Sequence, residues 1–326
     1  MESTPERKPP NRGIEVKLLD HTSDPVRSLY MAYRVAYSAL TPIQIAARIE
    51  DERITREQMM DFILKRLETG HASPLEQIWF EFGIAGVTRA FSHQFVRHHM
   101  GISFEQQSQR YVTFKGGEFP YTVPETVKRL GLAEEYQAEF DRLAELYDKL
   151  IQAGVPAEDA RFVLPTATNT NFKITVNFLE FLHIADLRLC TRAQWEFRKV
   201  VALMRAEVMR RFPELARYLQ PKCGEHRLGY CDESLDDWRN CPLGGRGGKR
   251  PHKSVIFETY RRETEKRGRP PKRGSTKAED ASQTLFLFDT TSLVVRKREI
   301  TDEDFIPLEP LNEEDFLLIE REESST

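Results

Sequence analysis

The sequence is poor in several things, and each shortage excludes something. Four cysteines in 326 residues are too few for a disulfide framework of the kind that staples small secreted domains. No stretch approaches the ~18 consecutive apolar residues that a membrane-spanning helix requires. The first ten residues, polar and rich in proline, hold no apolar run of the secretory type. Internal repeats are absent. A formal net charge of −3 says little, because the charge is unevenly spread along the chain, and the expected location is the cytoplasm. What is present is a globular balance: 40% hydrophobic and 30% charged residues, enough apolar material for a sizeable core.

The pattern along the chain predicts a lead-in over 1–13 without fixed structure, a folded body over 14–220, a Cys/His-containing extension over 221–244 and a charged, largely disordered tail over 245–326. Asp24-Pro25 predicts a capped helix start, with the helix running over 26–40. Thr55 precedes a second helix over 56–68, which Gly70 stops. Ile78, Phe80, Phe82 and Ile84 alternate with other residues, as a strand requires, and a short helix leads from Val87 toward His98. A long amphipathic helix covers 133–153 and ends at Gly154-Val155-Pro156. A short helix over 156–163, a β-rich stretch over 166–175 and helices over 177–187 and 192–212 complete the body. The expected class is α+β, helix-rich, with a small antiparallel sheet.

Residues 97–110 concentrate Arg97, His98, His99, Ser103, Glu105, Gln106, Gln107, Ser108, Gln109 and Arg110. Few apolar side chains intervene, so the segment reads as a polar loop rather than a core element. Forked guanidinium donors and amides suit an anionic, hydrogen-bonding ligand such as a nucleotide; a solvated loop is the plain alternative. Near the C-terminus, Cys223, His226, Cys231 and Cys241 offer three thiols and an imidazole, a possible tetrahedral zinc site, with reduced thiols as the alternative. Residues 249–277 carry eleven Lys/Arg against three Glu, and 302–323 ten acidic residues against one Arg. Such blocks are usually solvated tails. Lys266 to Gly274 is similar to an AT-hook, which enters the minor groove of A·T-rich DNA, though a plain linker is the stronger reading and nucleic acid an unlikely partner. Thr284 to Phe288 is a short apolar run that suits a strand or a docking segment.

Arg97-His98-His99, eight residues and Ser108-Gln109-Arg110-Tyr111 resemble the Arg-His-Arg…Ser-x-Arg-Tyr motif of the flavin-dependent thymidylate synthases. His99 stands where that family has Arg, and the spacer is one residue longer, with Gly101 the extra one. His71-Ala72-Ser73-Pro74-Leu75-Glu76-Gln77 is similar to the family's His-x-Ser/Thr-Pro-x-Glu-His, with Gln77 for the last His. Gly154-Val155-Pro156 followed by Ala160-Arg161-Phe162-Val163-Leu164-Pro165, then Asn177, His183, Arg188 and Gln194-Trp195-Glu196, follow in family order. Leu179 replaces a frequent Arg.

The resemblance covers about 14–220. It implies reductive methylation of dUMP to dTMP, with FAD reduced by NADPH, methylenetetrahydrofolate as one-carbon donor, and a homotetramer. It implies His71, Ser73, Glu76, Arg97, His98, His99, Asn177 and His183 at the flavin, and Gln94, Gln106, Ser108, Gln109, Arg110, Arg161 and Arg188 at dUMP. Arg188 would be the catalytic group, polarising the pyrimidine so that C5 becomes nucleophilic without a covalent thiol. Plainer readings stand beside these. Ser108 and Asn177 could be local caps, His183 a helix-face histidine, Arg161 and Arg188 structural ion pairs, and Cys190 a small buried side chain. The alternative function is a nucleic-acid-binding protein on a degenerate nucleotide-binding body.

Overall fold

The computed structural model describes residues 13–245 and 250–267, without the side chains of residues 68, 115, 260 and 263–267. Most of the expected lead-in (1–12), the AT-hook-like stretch from 268 onward, the apolar run at 284–288 and the acidic end lie outside the described residues. The chain divides into two units, 1–180 and 181–326, with the boundary inside one helix.

The first unit opens with β1 (Glu15–His21), α1 (Pro25–Ala36), α2 (Pro42–Glu50) and α3 (Arg56–Glu68). The cap signals are used as the sequence predicts. Asp24 accepts the Arg27 N–H at the start of α1, and Thr55 forms a reciprocal capping box with Gln58 at the start of α3. Thr41-Pro42 starts α2 with another capping box. That helix was not expected, because its only buried residue is Ile45 and it therefore has no apolar stripe to betray it. α1 ends at Ala36 rather than at 40, ahead of the exposed Tyr37.

β2 (Trp79–Thr88) follows, then α4 (Arg89–Phe95), β3 (Ile102–Gln106), α5 (Glu125–Arg129), α6 (Ala133–Gln152), α7 (Ala157–Ala160) and β4 (Asn169–Asn177). The four strands form one antiparallel sheet in the order β1-β2-β4-β3. Phe80, Phe82 and Ile84 of β2 and Phe172, Ile174 and Val176 of β4 are buried on the inner face. β3 corrects the expectation of a polar loop. Ile102, Phe104 and Gln106 are half-buried while Ser103 and Glu105 are exposed, and Phe104 meets Phe95 and Phe172 edge-on at 4.9 and 6.3 Å. Two apolar residues at period two were sufficient to make an edge strand. The amphipathic helix α6 lays Tyr136 and Phe140 on a cluster with Phe119 and Tyr121, where Tyr121 and Phe140 stack at 4.0 Å.

α8 (Phe178–Arg188) runs across the unit boundary. The second unit then holds α9 (Trp195–Arg211), α10 (Pro213–Ala216), α11 (Leu235–Asn240) and α12 (Lys253–Arg267). α9 buries Phe197, Val200, Val201, Met204 and Val208. α12 lies inside the segment expected as tail from 245 onward. Arg250, His252 and Ile256 are buried, residue 231 bridges residue 252, and Trp238 Nε1 donates to the Arg250 carbonyl at 2.8 Å. Folded chain therefore extends at least to 267, and the charge of this stretch had concealed it.

Candidate functional site

The turn into β2 sets His71 on a scaffold of aromatic rings. Tyr33 Oη donates to the His71 carbonyl at 2.7 Å, Tyr37 Oη lies 2.9 Å from His71 Nδ1, and Ser73 Oγ lies 3.2 Å from Nε2. Both tyrosine rings meet the imidazole edge-on. The imidazole is thus locked in orientation while Ser73 and Glu76 stay exposed on the one-turn helix that follows.

The segment after α4 separates its three basic residues. Arg97 and His99 are exposed. The Arg97 guanidinium has no ion-pair partner among the described residues, and His99 Nδ1 lies 2.9 Å from the Arg97 carbonyl. His98 turns inward: its Nδ1 is 3.1 Å from Glu180 Oε1, with both side chains almost fully buried. Gly101 then makes the turn into β3 with φ +69°, its backbone against Asn177. A Cβ there would stand 2.3 Å from Asn177 Nδ2, and the Gly101 carbonyl accepts the Asn177 N–H at 2.8 Å. A left-handed turn this close to a neighbouring side chain admits only glycine. Asn177 Oδ1 accepts the Glu180 N–H at 2.8 Å, which makes Asn177 the cap of α8.

Beyond β3, Gln106 Nε2 donates to Thr170 Oγ1 (3.2 Å), and the Ser108 hydroxyl accepts the Arg110 N–H (3.2 Å) in a local turn. Gln109 Nε2 is buried with no hydrogen-bond partner. Glu158, in α7, gathers two arginines: Arg110 Nε lies 2.6 Å from its Oε2, and Arg161 Nε donates to its carbonyl at 3.1 Å. A third joins them electrostatically, since burial and then the Arg161 charge push the Arg89 guanidinium below its usual range. Arg89 opens α4, three residues before the aromatic-flanked Ser92, and nothing in the motif pattern pointed to it. A half-buried arginine repelled by a second one is a setting that an anion stabilises. Gln94, on α4, is half-buried.

His183 and Arg188 belong to the second unit. His183 is exposed on α8; nearby, burial raises the Asp186 carboxyl against the hydrogen bond and charge of Arg227. The Arg188 guanidinium lies over the Phe197 ring at 4.4 Å, and burial pushes it below its ordinary range. That seat places the cation over an aromatic face.

Of the expected metal set, Cys223, Cys231 and Cys241 line one cavity together with Cys190. The ring of His226 packs on Tyr218 at 4.4 Å and its Nε2 sits 3.2 Å from Glu225 Oε1, outside that lining. No ligand pattern could show this, because Cys190 precedes Cys223 by a whole helix pair.

Residues 17–214 match the family described as "Thymidylate synthase complementing protein". The flavin-dependent thymidylate synthase of Geobacter sulfurreducens is 39% identical over 211 residues, covering 64% of this chain and 88% of that protein. The one from Nitratidesulfovibrio vulgaris is 39% identical over 233 residues, covering 69% and 93%. Among solved structures, a UMP/dUMP methylase from Streptomyces cacaoi bound with 5-Br dUMP shares the fold, with a TM-score of 0.52 and 20% identity, covering 63% of this chain and 94% of the other.

Proposed function

The chain belongs to the flavin-dependent thymidylate synthase family, and on that premise we propose that it methylates dUMP reductively to dTMP. Methylenetetrahydrofolate is the one-carbon donor and NADPH the reductant. The observation that carries the nucleotide assignment is the arginine group around Glu158, next in sequence to the buried, unpartnered Gln109 Nε2. A phosphate monoester would satisfy the amide and relieve the repulsion between Arg89 and Arg161.

The fit to FAD rests on exposed donors around oriented side chains. Arg97 is an uncommitted cation suited to a diphosphate, and His71 is held by Tyr37 and Ser73. FAD, when bound, supplies the hydride that completes the methyl group. The protein's own contribution is binding and electrostatics. Arg188, stripped of part of its hydration, is the group we assign to the pyrimidine, where a guanidinium favours the electron-rich form of the base. Ser108, Gln106 and Arg110 hold the nucleotide, and His98 supports the Arg97–His99 turn from inside through Glu180 rather than facing the ligand. A homotetramer with sites shared between subunits is part of the same reading. No helix among the described residues is long and apolar enough to cross a membrane.

The test is direct. Purified protein should carry a yellow chromophore and turn over dUMP with methylenetetrahydrofolate and NADPH. A colourless chain that FAD cannot load, and that binds A·T-rich DNA with steep salt dependence, would support the nucleic-acid reading instead.

A further inference from the structure

All four cysteines of the chain line a single cavity in the second unit. They come from four separate places: Cys190 just past α8, Cys223 in the turns after α10, Cys231 at the bridge to residue 252, and Cys241 at the end of α11. None is in a disulfide. Chance burial of small apolar side chains scatters them through a core; here all four line one cavity.

The surroundings are those of a thiolate site. The Thr191 hydroxyl donates to Cys241 Sγ at 3.5 Å. Donors aimed at sulfur favour its anionic form. Cations stand at the rim as well: Lys222 lines the cavity, 2.7 Å from Asp232 and 2.8 Å from Glu233, and Arg192 pairs with Asp237 at 2.9 Å. Four thiols on one cavity wall are a donor set that one divalent ion can use.

The local architecture has a use for such an ion. Between α10 and the bridge at 252 the described chain contains only the six-residue α11 among turns. A stretch so short of regular hydrogen bonding gains most from a cross-link.

We propose that Cys190, Cys223, Cys231 and Cys241 bind one structural Zn2+, fastening the C-terminal extension to the end of α8. Four thiols lose four protons and form four Zn–S bonds, with no change of oxidation state. All four positions are taken by protein, so the ion has no open site for substrate. Binding requires the four side chains to turn their sulfurs from the cavity wall onto a common centre, at a rim where Lys222 and Arg192 are held by carboxylates.

The full-length protein, expressed in zinc-replete medium and desalted through chelator, should retain one zinc per chain by elemental analysis. A mercurial reagent should release it as one equivalent. Cobalt replacement should give the intense sulfur-to-metal charge-transfer absorption of four thiolates. Cys190→Ser should lose the metal or show a three-thiolate cobalt spectrum, while His226→Ala should keep one zinc. If Cys190→Ser does not fold, the cobalt spectrum of the unaltered protein still decides between four thiolates and three. Metal-free protein with four alkylatable thiols, a disulfide, iron in place of zinc, or metal lost from His226→Ala but not from Cys190→Ser would each overturn the assignment.

Discussion

Arg110 Nε lies 2.6 Å from Glu158 Oε2, so an arginine of the nucleotide motif rests on a carboxylate that a phosphate would have to displace or share. Both side chains are about half exposed, which makes the pair weak in stability terms, ~1 kcal/mol or less. Glu158→Gln should therefore leave the melting temperature nearly unchanged and tighten dUMP binding several-fold, as calorimetry would show. The carbonyl that holds Arg161 is untouched by this change. Weaker binding in the variant would mean that the carboxylate orders Arg110 rather than competing for it.

Gln109 gives the complementary case. Its buried Nε2 has no partner to lose, so Gln109→Leu should cost the free protein little stability. If the amide meets phosphate, the lost charged hydrogen bond is worth about 1.5–3 kcal/mol, roughly a tenfold to hundredfold rise in the dUMP dissociation constant. An unchanged constant would remove Gln109 from the nucleotide site.

Gly101→Ala combines a left-handed backbone with a collision against Asn177. A penalty of about 1–3 kcal/mol is expected, read as a fall in thermal midpoint. Flavin retained per chain after gel filtration should fall with it, because the turn carries Arg97 and His99. Full flavin occupancy would separate that turn from the cofactor.

Arg188→Ala should abolish dTMP formation while flavin stays bound. Arg188→Lys should not restore it, since an ammonium cannot keep the planar seat on Phe197. Substantial turnover in either variant would refute the activating role.

Ending the chain after residue 267 should preserve stability and activity. Ending it after 244 removes buried Arg250, His252 and Ile256 and should lower the melting temperature and expose the cysteines to alkylation. Equal behaviour of the two truncations would show that α12 contributes nothing to the fold.

Local chemistry was legible where it is self-contained. Asp24-Pro25 and Thr55 mark helix starts because a side chain caps the backbone three residues on, and Ile78 to Ile84 shows its strand by alternation. The long helix α6 shows its apolar stripe. β1 was hidden because only Leu18 of its seven residues is buried, as suits an edge strand. β3 was hidden by its exposed Ser103 and Glu105. The site residues were legible as a set only through the family motif. Their individual situations were not, because the inward turn of His98 depends on Glu180, eighty-two residues away. Arg89 and Cys190 carry no signature of their own, and only the fold gives them neighbours.

The strand order β1-β2-β4-β3 also bears on the order of assembly. β3 pairs only with β4, which begins at Asn169, sixty-three residues beyond Gln106. During synthesis the strand leading into Ser108 and Gln109 has no ladder to join until the aromatic α6 module and then β4 have emerged. Loop closure of that length delays pairing. Ordering of the segment at Ser108 and Gln109 should therefore be a late event of the first unit's folding, and the phosphate site proposed there would not form until β4 is in place.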